Sequence, residues 1–511
     1  MSDGTTAGSV ALYVWLARIC RSGILGRGAY QMTESEVLGS RARTKIVATI
    51  GPACQDRAIL EKIVLAGVDI CRLNMAHGSR SVHEQLVATI REVEQAVGRP
   101  LGILVDLAGP KIRLGQLTED PLPCEVDAEL TFVRGEQVEP GQLTCNYKRL
   151  IDELKVDDRV LMADGTIEMV VLERSDEHAR CRVLQGGLLR SRQGINLPGV
   201  ELSAPTLSDV DRDNAIWAAS VGADFVSLSF VRKPDDMVEL RQLLDQYDSN
   251  ALTIAKIEKP EALENLTEIV KASDGIMVAR GDLGVEIDVA TMPVAQKQII
   301  DACSIWSKPV IVATQMLDSM QRASRPTRAE ATDVANAILD GTDACMLSGE
   351  TAIGDYPVES VAMMNRIMKS TEQMCMSGRE QLQGNQDEQG NPVASAVVRG
   401  AGRIADEIHA RMVVVVTKSG ATALTKAKQR DFIPTVAVSD CQQTLRQMCL
   451  YWGIHPLPGA PEDLDQQLVS FISRWGQEQG QLQPGDRVVL VGGTGVKDEV
   501  HNLVLIHQVH E

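Results

Sequence analysis

The sequence predicts an α/β protein: a TIM-type (β/α)8 barrel, a small β-barrel domain inserted in one of its loops, and a C-terminal open α/β domain. Three observations carry that prediction. Eight short β-branched runs alternate with helical stretches through the middle of the chain, and near-continuous apolar strands between helices indicate a parallel sheet covered on both faces. The interval 112–200 breaks that rhythm with short alternating strands. The chain has 511 residues, too many for one hydrophobic core, so several domains are expected.

Residues 1–40 precede the first run. Between positions 4 and 33 they carry Arg18, Arg21 and Arg27 and no acid, a weak transit-peptide-like pattern. The segment reads as a dispensable tail, with Met32 as an alternative start. No apolar run approaches the ~18–20 residues of a membrane span, and the stretch 10–19 is interrupted by Arg18. The eight runs are 44–50, 68–73, 101–105, 225–228, 253–257, 275–278, 309–313 and 344–347. Closed on one another they make the barrel, assigned to 41–111 and 201–371. After the second run, Ser81 is expected to cap a helix with Val82, Leu86, Ile90, Val93 and Val97 on one face, stopped by Gly98. The insertion at 112–200 shows turn signals at Arg134-Gly135, Pro140-Gly141, Ala163-Asp164-Gly165 and Gly186-Gly187. Placed over the barrel mouth it would act as a lid that excludes water. Thr327 and Glu330 fit a capping box opening a helix over 331–339. A polar linker from Ser377 to Asn391 leads into a domain assigned to 372–511, whose runs 412–417, 435–438 and 487–491 again alternate with helices.

Composition excludes some functions. With 44% hydrophobic, 23% charged and 3% aromatic residues the chain suits a globular α/β protein. A net charge of −18 argues against nucleic-acid and anionic-membrane partners, while a local positive pocket can still take an anionic substrate. The 11 Cys contain no CxxC pair, so neither a zinc site nor a disulfide framework is indicated. A reducing cytoplasmic location follows as an expectation. His83, His178 and His409 lack partner spacing and read as surface residues.

In a barrel enzyme the chemistry lies where strands finish. The strand ends carry Thr49, Asn74, Asp106, Ser229, Lys256 with Glu258, Arg280 with Asp282, Thr314, and Ser348 with Glu350. Arg72 and His77 flank the second end, and Lys111 and Arg113 follow the third. Glu258 and Asp282 suit one hard divalent cation that keeps several waters, hence Mg2+, with Mn2+ as a substitute; the alternative is a pair of salt bridges to Lys256 and Arg280. Lys256 can lie against a transferring phosphoryl group, and Arg72 and Arg113 offer planar forks for phosphate oxygens. The run Ala279-Arg280-Gly281-Asp282 places backbone N–H groups at a helix start, where a carboxylate can dock. Thr314 stands where a hydroxyl could relay a proton to a substrate carbon.

These residues fall within long stretches: RTKIVATIGPAC (43–54), CRLNMAHG (71–78), DLAGPKIR (106–113), GINLPG (194–199), IAKIEKPEALEN (254–265), SDGIMVARGDLGVEI (273–287), VIVATQMLDSM (310–320), RPTRAEATDVANAILDGTDACMLSGETAIGDYP (325–357) and VVVVTKSGATA (413–423). Together they resemble the pyruvate kinase family from about Arg41 to the C-terminus. The resemblance implies transfer of the phosphoryl group of phosphoenolpyruvate to ADP, giving pyruvate and ATP, in a homotetramer. It implies Glu258 and Asp282 as Mg2+ ligands, Lys256 as stabiliser of the transfer, Arg72 as phosphate ligand and Thr314 at the enolate. Ser229 and the 279–282 turn would line the substrate, and Asn74, His77 and Arg113 would face nucleotide and phosphates. A barrel lyase or aldolase also needs a carboxylate pair but not the lid or Lys256. A non-catalytic metabolite sensor would be favoured by loss of Lys256, Glu258 or Asp282, and all three are present.

Three departures from the family pattern stand out. Many members hold K+ with an Asn, a Ser two residues later, an Asp and the next carbonyl; here Asn74 and Asp106 remain, but Ala76 replaces the Ser, and Leu107 fits the same subgroup as Lys111. Lys111 stands where K+-dependent members resemble one another in having Glu, so an ammonium is expected to supply the cation's charge and K+ is not required. The Lys usual before the GINLPG stretch is Gln193, with Arg192 one residue earlier as a substitute. The run Thr417-Lys418-Ser419-Gly420-Ala421-Thr422 is similar to an effector loop holding a sugar phosphate, though Ala421 replaces an Arg of some members and Gly492-Gly493-Thr494-Gly495-Val496 differs from theirs. A phosphorylated effector is expected there.

Overall fold

The computed structural model describes residues 41–135, 139–163, 165–200, 202–378, 392–461, 464–493 and 502–510. The expected features at 1–40, Asp164, 379–391 and 494–496 lie outside them.

Eight parallel strands close a barrel in the order β1-β8-β7-β6-β5-β4-β3-β2. They are β1 (Lys45–Thr49), β2 (Ile70–Asn74), β3 (Gly102–Asp106), β4 (Phe225–Leu228), β5 (Leu252–Ile257), β6 (Gly275–Ala279), β7 (Val310–Ala313) and β8 (Ala344–Leu347). Every strand falls on one of the apolar runs, because a strand buried on both faces must be apolar on both. Ile46, Ala48, Ile103 and Val105 pack outward on the helices. Val47, Ile70, Leu104, Phe225, Ile254, Met277, Ile311 and Met346 fill the interior. Gly102 is required there: a Cβ would stand 3.0 Å from both Ile70 Cγ1 and Phe225 Cε2. The registers pair Asn74 with Asp106 and Asp106 with Ser227, so polar strand ends meet at one rim.

The helix after β2 runs Arg80–Val97 and closes on Gly98 in the left-handed conformation, φ 70. Its N-cap is Ser79 rather than Ser81. Within it Val82 faces outward, 38% exposed, and His83 inward, 5% exposed. His83 is therefore no surface residue: its Nε2 meets the His77 carbonyl at 2.8 Å, and its ring packs 6.1 Å from that of Trp217. His178 is half-buried and His409 exposed. Thr327 does cap the helix Arg328–Leu339, its side chain accepting from the Glu330 N–H in a capping box.

The insertion has its own core around Leu130, Phe132, Val160, Met162, Ile167 and Val183. Its main sheet holds six strands, with Ile195–Asn196 at one edge against Arg159–Met162. After the barrel a helix runs Pro357–Gly378, across the expected domain boundary at 371. The last domain is a five-stranded sheet: β9 (Met412–Val416), β10 (Thr435–Val438), β11 (Ile454–Leu457), β12 (Arg487–Gly493) and β13 (Asn502–Gln508). Its order is β11-β10-β9-β12-β13, parallel except for β13 on β12. β11 and β13 correspond to no run singled out above. Among the described residues no helix is long and apolar enough to cross a membrane.

Candidate active site

The strand ends of β2 to β5 build one buried ionic network. Arg72 donates from Nε and Nη2 to Asp106 Oδ2, at 2.8 and 2.5 Å, and from Nη1 to Thr49 Oγ1 at 2.8 Å. Ser227 Oγ donates to Asp106 Oδ1 at 2.6 Å. Lys256 Nζ donates to Ser229 Oγ at 2.7 Å and lies 2.9 Å from Glu258 Oε1 and 3.4 Å from Asp106 Oδ1. Ser229 Oγ in turn donates a hydrogen bond to the Leu107 carbonyl at 2.7 Å.

Burial alone would raise the Asp106 carboxyl; Lys256 and Arg72 outweigh it and hold it below the usual carboxylate range. Burial likewise disfavours the Lys256 ammonium, yet Asp106 and Glu258 push it up to about 12. Lys256 is a fixed positive charge at neutral pH. Glu258 is raised by burial, with Lys256 opposing and Asp282 adding to the shift.

Glu258 accepts from the Phe230 N–H at Oε2, 2.7 Å. Its buried Oε1 has an ammonium nearby but no well-directed hydrogen bond. That orphaned oxygen, with Asp282 close enough to affect its ionisation, fits a hard divalent cation. Among the described residues no three His, Cys, Asp or Glu side chains cluster to hold a metal by themselves. The two carboxylates would leave its other positions to water and substrate.

The expected alternative of paired salt bridges is half met. Lys256 does lie on Glu258, but Arg280 turns away from Asp282. Its Nη1 donates to Asp333 at 2.6 Å, and its Nη2 to the carbonyls of Thr314 and Gln315 at 2.8 and 3.2 Å. Arg280 thus holds the loop after β7 and brings only its backbone to the mouth. Gly281 N–H donates to Thr314 Oγ1 at 2.7 Å, so Thr314 caps the short helix Arg280–Glu286. Phe230, Thr314 and Gln315 all have positive φ, 57, 67 and 55, a conformation costly for non-glycine residues.

Lys111 is the residue placed differently from expectation. Its Nζ lies 3.0 Å from Asp282 Oδ1, beside the Asp282 carboxylate rather than at Asn74 and Asp106. Its long side chain follows the loop leaving β3 toward β6. Asn74 Oδ1 accepts from the Ala76 N–H at 3.1 Å. The pKa of His77 is lowered by burial and then by Arg113, Arg72 and Lys111.

In the insertion, Arg113 Nη1 donates to the Arg192 carbonyl at 3.3 Å. Arg192 is exposed, and Gln193 Oε1 accepts from the Arg190 N–H at 2.8 Å. Gln193 is therefore committed to its own turn and points no charge at the mouth. Glu286 was not among the expected site residues, although it lies in a stretch that carries the family resemblance. It binds Asn196 of the insertion and Lys259, the neighbour of Glu258.

In the C-terminal domain, Thr417 Oγ1 accepts from the Gly420 N–H at 3.0 Å, and Gly420 opens the helix Ala421–Lys428 at φ 83. Lys418 and Ser419 are exposed and Thr422 half-buried.

Comparison with known proteins gives concordant results. The family description "Pyruvate kinase, barrel domain" matches residues 41–361, and "Pyruvate kinase, alpha/beta domain" matches 395–507. The chain is 42% identical over 458 residues to a pyruvate kinase of Agrobacterium vitis, covering 89% of this chain and 95% of that one. It is 38% identical over 479 residues to one of Staphylococcus haemolyticus, covering 91% and 80%. A solved pyruvate kinase from Cryptosporidium parvum matches with TM-score 0.84 and 32% identity, over 95% of this chain and 100% of that one.

Proposed function

The chain belongs to the pyruvate kinase family, and from that premise we propose how its strand-end residues transfer the phosphoryl group. The reaction breaks the bond between phosphorus and the enol oxygen of phosphoenolpyruvate and forms one to a terminal oxygen of ADP. The enolate left behind takes a proton on carbon to give pyruvate. Catalysis is then mostly positioning and charge neutralisation.

The observation that carries the assignment is the buried Lys256 ammonium, 2.9 Å from Glu258 and 2.7 Å from Ser229. It provides a preorganised positive charge beside two carboxylate-bearing strands. Glu258 and Asp282 would hold Mg2+, or Mn2+ in its place, which when bound neutralises phosphate charge. Arg72, oriented by Asp106 and Thr49, directs its guanidinium plane at the rim for a phosphate oxygen. The 279–282 turn receives the substrate carboxylate, with Ser229 fixing Lys256 from below. Thr314, held by Gly281, stands at the enolate carbon's side. Asn74, His77, Arg113 and Arg192 face the nucleotide, Arg192 taking the place that Gln193 leaves open.

K+ is not required in this reading. Ala76 offers no side-chain oxygen, Asp106 is already bonded by Arg72, Ser227 and Lys256, and Lys111 brings one more positive charge to the mouth. The C-terminal loop of Thr417, Lys418, Ser419, Gly420 and Thr422 takes a phosphorylated metabolite, and the working form is a cytoplasmic homotetramer.

One assay tests these together: pyruvate formation from phosphoenolpyruvate, ADP and Mg2+, with K+ present or replaced by a bulky organic cation, and with sugar phosphates added. Turnover should survive removal of K+ and stop on chelation of the divalent ion. A collapse without K+ sinks the K+-independent reading, and indifference to every phosphorylated metabolite sinks the effector assignment.

A further inference from the structure

The lid joins the barrel through backbone at 107–112 inbound and, among the described residues, at 197–200 and 202–206 outbound. Between them and the barrel rim lies an open cleft walled by Ile112, Leu197, Val200 and Phe230 and also lined by Lys259 and Glu286. Glu286 ends the helix that carries Asp282, and its side chain is 1% exposed. Its Oε1 accepts from Lys259 Nζ at 2.7 Å and from Asn196 Nδ2 at 3.0 Å, while Oε2 has no hydrogen-bond partner among the described residues. A buried carboxylate left half-satisfied is poor stabilisation, so packing alone does not account for it.

We propose that Glu286 is a positioning residue: a latch that fixes the lid's outbound strand to the barrel and so places the lid's cations over the metal carboxylates. The connections are short. Lys259 adjoins Glu258 in the chain, and Glu286 lies one turn beyond Asp282. On the other side, Asn196 pairs with Leu161 inside the lid sheet. Arg113 is bridged to Gly194, two residues before Asn196, and donates to the Arg192 carbonyl. One carboxylate therefore ties both metal-bearing strand ends to the strand that sets Arg113 and Arg192. This inference rests on the reading that those two arginines face the nucleotide. The consequence is a split in substrate dependence. A loosened latch displaces the lid contacts and spares the barrel contacts to phosphoenolpyruvate.

The test is a double-mutant cycle on the full-length enzyme with Asn196→Ala, Glu286→Ala and both together, plus Glu286→Gln as the conservative variant. Each single change should raise the KM for ADP about five- to tenfold and leave the KM for phosphoenolpyruvate within twofold. The double variant should be no worse than the worse single, and Glu286→Gln, which keeps an acceptor for Asn196, should recover most of the ADP affinity. Amide exchange without substrates should quicken at 107–112, 197–200 and 202–204, with the lid's own sheet, Ile195–Asn196 included, unchanged. Multiplying effects, an equal shift in both KM values, or failure of Glu286→Gln to recover would overturn the latch. Asn196→Ala keeps the test alive where Glu286→Ala folds poorly. Arg192→Ala separates the two readings. An unchanged KM for ADP there removes Arg192 from the nucleotide site, while the exchange result still decides the latch.

Discussion

At Lys256, the role proposed in phosphoryl transfer and the local stability draw on the same charge. The ammonium is surrounded by Ser229, Glu258 and Asp106, and Arg72 covers the other face of Asp106. Removing one partner of a buried ion pair commonly costs about 3–5 kcal/mol, because the other charge is left uncompensated. Lys256→Met should therefore lower turnover by roughly three orders of magnitude or more, and also lower the thermal midpoint. Adding Glu258→Gln removes the stranded carboxylate and should return part of the midpoint with turnover still lost. Pyruvate formation and thermal unfolding on both variants check this. Near-normal turnover in the single variant would refute the role of Lys256, and a double variant no more stable than the single would refute the ionic origin of the loss.

At the scale of elements, the capping box before Arg328–Leu339 does more than start a helix. Glu330 accepts from Thr327 N at 2.7 Å and also from Ser319 N and Oγ, at 2.7 and 2.5 Å. It ties the helix to the 3-10 turn Asp318–Gln321 that follows the loop of Thr314. Thr327→Ala should cost about 1 kcal/mol, as N-cap losses do, and Glu330→Ala more, because two elements separate; equal losses in chemical denaturation would contradict the second tie. The same helix shows what was legible in the sequence. Thr327 and Glu330 are three residues apart, so their bond is local and readable from spacing. The eight strands were legible for a similar reason: burial on both faces writes itself into consecutive residues. The start at Ser79 was not, since it turns on burying His83 against Trp217, 134 positions away. The carboxylates and Lys256 were legible as strand ends, whereas the partners of Lys111, Arg280 and Gln193 depend on how loops return over the rim.

At the scale of the whole molecule, the barrel floor and the C-terminal domain share one core, in which Phe225 and Met346 are continuous with Leu445, Met448 and Ile454. Ionic ties cross the same boundary. Arg446 binds Glu94 at 2.8 and 2.6 Å, and Lys428 and Arg430 converge on Asp343 at 2.7 and 2.8 Å. None of these pairings follows from local spacing. On β11 at this boundary, His455 lines a cavity with Arg41, Lys45, Asp69 and Arg99. Burial, then Lys45, Arg41 and Arg99, push its pKa down to about 3, against a partial upward pull from Asp69. The unfolded chain has an ordinary histidine near 6.5. Between those two values the unfolded state binds a proton that the folded state refuses, so stability falls as pH falls from about 6.5 toward 3 and is unaffected by this group above 6.5. One such proton contributes a slope of up to about 1.4 kcal/mol per pH unit. His455→Gln keeps a polar side chain without the titration. Its unfolding free energy should therefore decline less steeply than that of the parent between pH 6.5 and 5, above the range where ordinary carboxylates titrate. Denaturant unfolding at half-unit pH steps measures both slopes; parallel lines would mean that His455 takes up its proton in the folded protein as readily as in the unfolded chain.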